Sequence, residues 1–128
     1  MAKLNKIVAF VATRNAEKAK EFYGDKLGLK FVSDDGFALV FDIAGTMFRI
    51  ARVKEITVAQ YTVLGWEVQN IEKAVSDLVA KGVAFERFPG LPQDQLGVWT
   101  APSADKVAWF KDPDGNILSL SEHPGRKS

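Results

Sequence analysis

The string most suggestive of chemistry is D-P-D-G-N at residues 112–116, which opens with the D-x-D-x-N spacing of a calcium-binding loop. Such a loop also needs glycine at its sixth position and an acidic residue at its twelfth, and these positions hold Ile117 and His123. Pro113 and Gly115 stand instead at the second and fourth positions of a type I turn. We therefore interpret residues 112–116 as a turn between two strands.

Histidine and cysteine chemistry is limited, because the 128 residues include one histidine, His123, and no cysteine. The cysteine count excludes disulfides, thiolate metal sites and cysteine nucleophiles. A Ser-His-Asp triad would have to take its histidine from the C-terminal tail, and we expect none. The phosphate-binding motifs GxxxxGK[ST] and GxGxxG and the nucleophile elbow GxSxG are also absent.

Composition and charge are those of an ordinary globular protein, with 47% hydrophobic residues, 26% charged residues and a net charge of +1. We expect a single domain over residues 1–128. A nearly neutral chain without a basic stripe argues against a nucleic-acid partner. The apolar run at residues 7–12 is too short to cross a membrane, so we expect no membrane partner and a cytoplasmic location.

The chain repeats itself. The string N-A-E-K-A at residues 15–19 returns as N-I-E-K-A at residues 70–74, an offset of 55. Residues 38–51 align with residues 108–121 at an offset of 70, so the second copy carries an insertion, which we place at residues 89–103. Two copies of one supersecondary unit are predicted.

The first copy has the pattern of a strand, a helix and three further strands. Residues 6–12 are apolar and β-branched, Asn15 suits a helix N-cap, and Gly28 suits the position after the helix. Strands are then predicted at residues 31–32, 37–43 and 47–53, with turns between them.

The second copy follows the same plan, with a strand at residues 62–68 and a helix over residues 70–81 that ends at Gly82. Its remaining strands are predicted at residues 83–88, 107–111 and 117–121. The fold class is therefore α+β, with two βαβββ modules at about residues 4–53 and 62–122 and a frayed tail at 123–128. We expect the two mixed sheets to form a curved cup with a concave ligand site.

Three strings together resemble a known family: N-x-E-K-A-x-x-F-Y at residues 15–23, L-G-L at 27–29 and A-W-F-K-D-P-D-G-N at 108–116. The chain over residues 4–122 resembles the vicinal-oxygen-chelate superfamily of glyoxalases, extradiol dioxygenases, fosfomycin-resistance transferases and bleomycin-resistance proteins. The resemblance implies paired βαβββ modules and a homodimer.

The resemblance also implies a divalent metal held by the first and last strands of each module. The corresponding positions here are Val8, Arg49, Val63 and Ser119. None is a competent ligand, and the permanent positive charge of Arg49 would repel a metal ion. We therefore expect no metal site and no cofactor.

Strand alternation predicts the residues that share the inward face with these four positions. The candidate ligand-binding set, with the tryptophan of the insertion added, comprises Phe10, Met47, Arg49, Glu67, Trp99 and Ser119. Arg49 is suited to bind a carboxylate, a phosphate or an enolate, or else forms a structural ion pair with Glu67. Glu67 is a weak candidate for a general base. Trp99 either stacks on a flat ligand as a lid or plugs the open end of the cup.

Two functions stay open at this point. The first is a metal-independent protein that binds a small anionic or aromatic molecule. The alternative is a lyase, isomerase or dioxygenase-type enzyme of the same superfamily, which would use Arg49 and Glu67 or an unrecognised metal site. An enzyme would need a titratable group with a perturbed pKa inside the site, whereas a binding protein would not.

Overall fold

A computed structural model describes residues 2–126, so the last two residues of the predicted tail lie outside the described part. Contacts divide the chain into two compact units, Met1–Thr57 and Val58–Ser128. Each unit carries one helical region and one four-stranded mixed sheet. The predicted α+β class with two βαβββ modules is confirmed.

The first unit contains four strands in the order β1-β4-β3-β2, with β1 parallel to β4 and the other pairs antiparallel. Its elements are β1 (Val8–Thr13), α1 (Ala16–Lys20), a π-helical continuation (Glu21–Lys26), β2 (Lys30–Asp34), β3 (Ala38–Ile43) and β4 (Thr46–Arg52). Asn15 caps the helix as predicted, because its side chain accepts a hydrogen bond from the backbone N–H of Lys18 at 3.1 Å. Gly28 follows the helical region with a φ of +75°, a conformation that favours glycine.

The helical region covers one face of this sheet. Tyr23 from the π-helical turn is fully buried, and its ring meets those of Phe41 and Phe48 with centroids 6.4 and 5.1 Å away. Since side chains alternate along a strand, the neighbours of these residues point to the opposite face, which we call open face A. Open face A retains exposed apolar side chains, among them Phe10 and Met47, which are 58% and 45% exposed.

The second unit contains four strands in the order β5-β8-β7-β6, with β5 parallel to β8. Its elements are β5 (Thr62–Glu67), α2 (Ile71–Ala80), β6 (Trp99–Thr100), β7 (Lys106–Lys111) and β8 (Ile117–Glu122). The side chain of Asn70 caps α2 by accepting from the backbone N–H of Lys73 at 3.0 Å. This cap and that of α1 occupy equivalent positions in the two copies of the repeat.

Helix α2 identifies the covered face of the second sheet. The backbone N–H of Ile71 donates to Glu122 on β8, and Lys106 on β7 pairs with Glu72 at 3.1 Å. The side chains that alternate with Lys106 and Glu122 therefore lie on the opposite face, which we call open face B. Trp66 packs on the covered face, where its ring stacks on that of Phe110.

The prediction of a strand at residues 83–88 is wrong. The backbone of this segment forms an isolated bridge between Phe85 and Phe110, and the N–H of Glu86 donates to the carbonyl of Trp109, without a continuous ladder. The edge of the sheet is instead formed by β6, which pairs with Lys106 and Val107. The two residues of β6 fall inside the predicted insertion.

The turn at residues 112–116 is confirmed. The N–H of Gly115 donates to the carbonyl of Asp112 at 3.0 Å, as expected of a four-residue turn between β7 and β8. The buried carboxylate of Asp112 accepts from the backbone N–H groups of Asp114 and Asn116. The acidic side chain thus stabilises the turn.

Candidate functional site

Arg49 lies in the middle of open face A. In the register of the sheet it is paired with Phe10 on β1 and with Val40 on β3, while Met47 is paired with Val8. Register partners share a face, so the structure brings Phe10, Met47 and Arg49 together. Arg49 therefore lies beside partly exposed apolar residues of the same face.

Arg49 is paired with Asp35, a residue that sequence reasoning did not consider. The Nη2 of Arg49 donates to the Oδ2 of Asp35 at 2.6 Å. The other carboxylate oxygen accepts from the backbone N–H groups of Phe37 and Ala38, both at 2.9 Å. The hydrogen bond from Arg49, followed by those from Ala38 and Phe37, holds the pKa of Asp35 below its usual range.

The adjacent acidic residue pairs with a second arginine of β4. Arg52 binds Asp34 through two parallel contacts, Nη1 to Oδ1 at 2.6 Å and Nη2 to Oδ2 at 2.7 Å. The hydrogen bonds from Arg52 lower the pKa of Asp34 from 3.8 to about 2. Asp34 thus holds Arg52 through two contacts, whereas Asp35 holds Arg49 through one.

A surface pocket of about 370 Å³ adjoins the apolar part of open face A. Its lining includes Val8, Val40 and Met47, the register neighbours of Phe10 and Arg49, together with Lys6 and Asp42. Apolar walls with a few charged groups are the usual composition of a small-molecule site.

The remaining candidates lie on open face B. Ser119 is paired with Gly65 on β5 and with Trp109 on β7 and is 8% exposed. A Cβ at Gly65 would stand 2.5 Å from the Oγ of Ser119, so a side chain at this position would displace the Ser119 hydroxyl. The Oγ of Ser119 therefore lies against the backbone of β5.

Trp99 belongs to β6, where Val107 is its register partner. Its ring lies 6.3 Å from that of Trp109, and Phe88 meets Trp109 edge-on at 5.4 Å. The indole N–H of Trp109 donates to the Oγ1 of Thr62 at 3.1 Å. Open face B therefore carries an aromatic cluster, formed by Phe88, Trp99 and Trp109.

Glu67 is exposed, and one carboxylate oxygen lies 3.6 Å from the Nη1 of Arg126. In the register it is paired with Ser121 on β8. Arg126 is thus the ion-pair partner of Glu67 within the second unit, as Asp35 is that of Arg49 within the first, and the alternative of a Glu67–Arg49 pair stays a prediction. An exposed carboxylate beside an arginine lacks the desolvated surroundings typical of a general base.

The positions that the resemblance assigns to metal ligands do not fit a divalent metal. Val8 and Val63 have no donor atoms, and Val63 lies where the register between β5 and β8 shifts. Arg49 is a cation already engaged by Asp35. Among residues 2–126, no three His, Asp or Glu side chains are grouped so as to hold a metal ion. The donor atoms at these positions therefore support no metal-dependent step.

The family follows from a direct comparison. A model of the Glyoxalase/Bleomycin resistance protein/Dioxygenase superfamily matches residues 3–120. The chain belongs to this superfamily. The match covers both units and confirms the resemblance drawn from the three sequence strings.

Solved structures of the superfamily share the fold at low identity. Lactoylglutathione lyase from Agrobacterium tumefaciens superimposes with a TM-score of 0.74 and 15% identity, over 98% of this chain and 100% of that one. A glyoxalase/bleomycin resistance protein/dioxygenase from Alicyclobacillus acidocaldarius gives 0.70 and 16%, over 94% and 92%. A glyoxalase family protein from Enterococcus faecalis gives 0.67 and 21%, over 94% and 97%. At these identities the likeness shows the fold alone.

No curated protein matches the chain significantly. In the part of the chain that the structure describes, no helix has both the length and the apolar character needed to cross a membrane. The predicted homodimer and cytoplasmic location stay predictions.

Proposed function

We propose that this member of the superfamily binds a small anionic molecule with an apolar or aromatic body, at Arg49 on open face A, and that it acts by binding. The observation that carries the proposal is the position of Arg49 together with its hydrogen bonding. Arg49 shares its face of the sheet with exposed apolar side chains, and its guanidinium makes one side-chain hydrogen bond, to Asp35.

A guanidinium has five N–H donors arranged as a planar fork. In the described part of the chain the one side-chain hydrogen bond of Arg49 is that from Nη2 to Asp35, which leaves its Nε and Nη1 donors for a second anion. A carboxylate, sulfonate or phosphate of a ligand can accept from this edge while Asp35 fixes the position of the fork.

The surrounding apolar side chains supply the second half of the interaction. Phe10 and Met47 are about half exposed and flank Arg49 through the register of the sheet. An apolar ligand body placed on them would remove this surface from water, which contributes roughly 25 cal/mol per Å² buried. The combination selects molecules with an anionic group beside a flat or aliphatic body.

Open face B offers an aromatic cluster of its own. We propose Trp99 as a stacking surface for a flat ligand, with Ser119 as a neighbouring polar contact, because Trp99 is partly exposed and lies beside Trp109. The alternative of a lyase, isomerase or dioxygenase-type reaction through Arg49 and Glu67 has less support, because Glu67 is exposed and pairs with Arg126.

The proposal is tested with two fluorescent probes that differ by one charged group. 1-Anilinonaphthalene-8-sulfonate carries a sulfonate, and N-phenyl-1-naphthylamine has the same rings without it. In the variant Arg49→Ala the affinity for the sulfonate probe should fall roughly 10- to 100-fold, the equivalent of a charge-assisted hydrogen bond of about 1.5–3 kcal/mol. Affinity for the neutral probe should change little, because the apolar surface stays in place.

Arg52→Ala is the matched control, since Arg52 lies on the same strand but is engaged on two atoms by Asp34. We expect it to leave the affinity for the sulfonate probe unchanged. Equal affinity of Arg49→Ala and the unaltered protein for that probe would contradict the proposal.

A further inference from the structure

A serine, a histidine and an aspartate meet at the edge of open face B. The Nε2 of His123 lies 2.9 Å from the Oγ of Ser121. The Nδ1 of His123 lies 3.2 Å from the Oδ2 of Asp105. This is the connectivity of a nucleophile, a base and a base-orienting carboxylate, which sequence reasoning had set aside.

The register of β7 and β8 builds this group. Val107 pairs with Ser121 and Lys106 with Glu122, so the next pair outward along the ladder brings Asp105 opposite His123. Ser121 and His123 are two residues apart on an extended chain, and their side chains therefore point to the same face. All three side chains lie on open face B, away from helix α2.

The hydrogen-bonding arrangement suits proton transfer from the serine. With a proton on Nδ1, His123 directs that N–H toward Asp105 and presents a free Nε2 to the hydroxyl of Ser121. The hydroxyl then donates to Nε2, which is the arrangement in which the imidazole acts as a general base.

The group is partly open to solvent, since Ser121 is half-buried and the side chains of His123 and Asp105 are 29% and 37% exposed. A pocket of about 500 Å³ adjoins the group at His123, and its lining also includes Glu67, Glu122 and Arg126. Arg126 supplies a cationic group within this pocket. On the other side of Ser121, its register partner Val107 and then Trp99, the partner of Val107, form an apolar surface on the same face of the sheet.

We propose that Ser121, His123 and Asp105 form a hydrolytic site for small carboxylic esters. The Oγ of Ser121 attacks the ester carbonyl carbon, and its proton passes to the Nε2 of His123. The carbon–oxygen bond to the alcohol breaks, and the departing alkoxide takes the proton from Nε2. Water then attacks the acyl-serine with the same base, which releases the acid and returns a proton to the Oγ of Ser121.

Asp105 is a positioning residue in this scheme, since it acts through His123. Arg49 belongs to the first unit and takes no part in this scheme, so loss of probe binding in Arg49→Ala and loss of hydrolysis in Ser121→Ala are distinguishable outcomes.

The test uses the untagged full-length protein and p-nitrophenyl acetate, with release of p-nitrophenolate as the readout. His123 is the one histidine of the chain, so any contribution of imidazole to the rate belongs to it. Ser121→Ala should abolish the acyl-enzyme detected by mass spectrometry, and His123→Gln should lower kcat by about 100-fold or more. Asp105→Asn should lower kcat with KM unchanged, and Asp105→Glu should restore part of the rate.

Labelling of the unaltered protein with a fluorophosphonate tests the reactivity of Ser121 without depending on the folding of any variant. The label should attach to Ser121 and spare Ser76, an exposed serine on α2, and Ser76→Ala should hydrolyse the ester at the unaltered rate. Absence of both turnover and label in the unaltered protein, or an unchanged acyl adduct in Ser121→Ala, would overturn the proposal.

Discussion

Arg49 and Arg52, two arginines of one strand, are held differently by their acidic partners. Both pair with an acidic residue of the turn before β3, at the same distance of 2.6 Å. Arg52 is engaged on two atoms by Asp34, whereas Arg49 is engaged on one by Asp35 and lies on open face A. At the scale of single residues, the number of contacts to the carboxylate is the reason for proposing Arg49, and not Arg52, as the ligand-binding arginine.

The pair between Arg52 and Asp34 predicts an acid-dependent loss of stability. Because folding lowers the pKa of Asp34 from 3.8 to about 2, its contribution to stability is present above pH 3.8 and is lost as the pH falls through about 2. Asp34→Asn should therefore lower the urea midpoint at pH 7 and show a weaker pH dependence of that midpoint between about pH 4 and pH 2.

The control is Asp77→Asn, which removes the carboxylate of an exposed pair with Lys73 on α2. We expect its pH dependence over the same range to match that of the unaltered protein. Identical acid unfolding curves for Asp34→Asn and Asp77→Asn would refute the assignment.

At the scale of elements, the segment from residue 83 to 98 is held by a side chain in place of a strand ladder. The side-chain oxygen of Gln93 accepts from the N–H of Phe88 at 2.8 Å, and its amide donates to the carbonyls of Glu86 and Gly97. Pro89 and Pro92 have no N–H to donate, and Gly90 adopts a φ of +82°. Gln93 thus satisfies backbone groups that a continuous strand would have paired.

Gln93→Ala should lower the free energy of unfolding by about 1–3 kcal/mol, because it leaves partly buried backbone groups without partners. Amide hydrogen exchange should accelerate across residues 86–98 in particular. Gln95→Ala alters the same residue type in the same segment and should change neither quantity appreciably. Uniform acceleration across the whole chain would show that Gln93 has no special local role.

At the scale of the whole molecule, the chain keeps the doubled plan of its superfamily while the metal-ligand positions hold valine, arginine and serine. Val8 and Arg49 belong to the first unit, and Val63 and Ser119 to the second. Residues that are poor metal ligands therefore occupy these positions in both copies of the repeat. A fold and the chemistry that it supports are separable, since the fold depends on core and turns and the chemistry on a few surface side chains.

We expect the purified, untagged protein to contain no stoichiometric metal, before and after incubation with zinc, manganese, nickel or iron(II), when measured by elemental mass spectrometry. The reason is that none of the four positions combines a donor atom with the basicity that these metals require. One equivalent of any of them would mean that the ligand positions have been misassigned, and would favour the enzyme alternative.

Much of the fold is predictable from sequence because its signals are local. Asn15 and Asn70 cap their helices, Gly28 follows the first helical region, and the turn at residues 112–116 forms as its residue types predict. The prediction of a strand at residues 83–88 is wrong because the apolar character of this segment reflects contact of Phe85 and Val83 with the core. Side chains can be buried without backbone pairing in a sheet.

The sequence by itself determined the repeat, the fold class and the residue types at the positions that the resemblance assigns to metal ligands. These depend on residue type and on spacing along the chain. Only the tertiary structure decided that Asp35 pairs with Arg49 and that Asp105 lies beside His123 and Ser121. Those contacts join residues that are far apart in sequence, and the register between strands, which the spacing of any one segment does not set, brings them together.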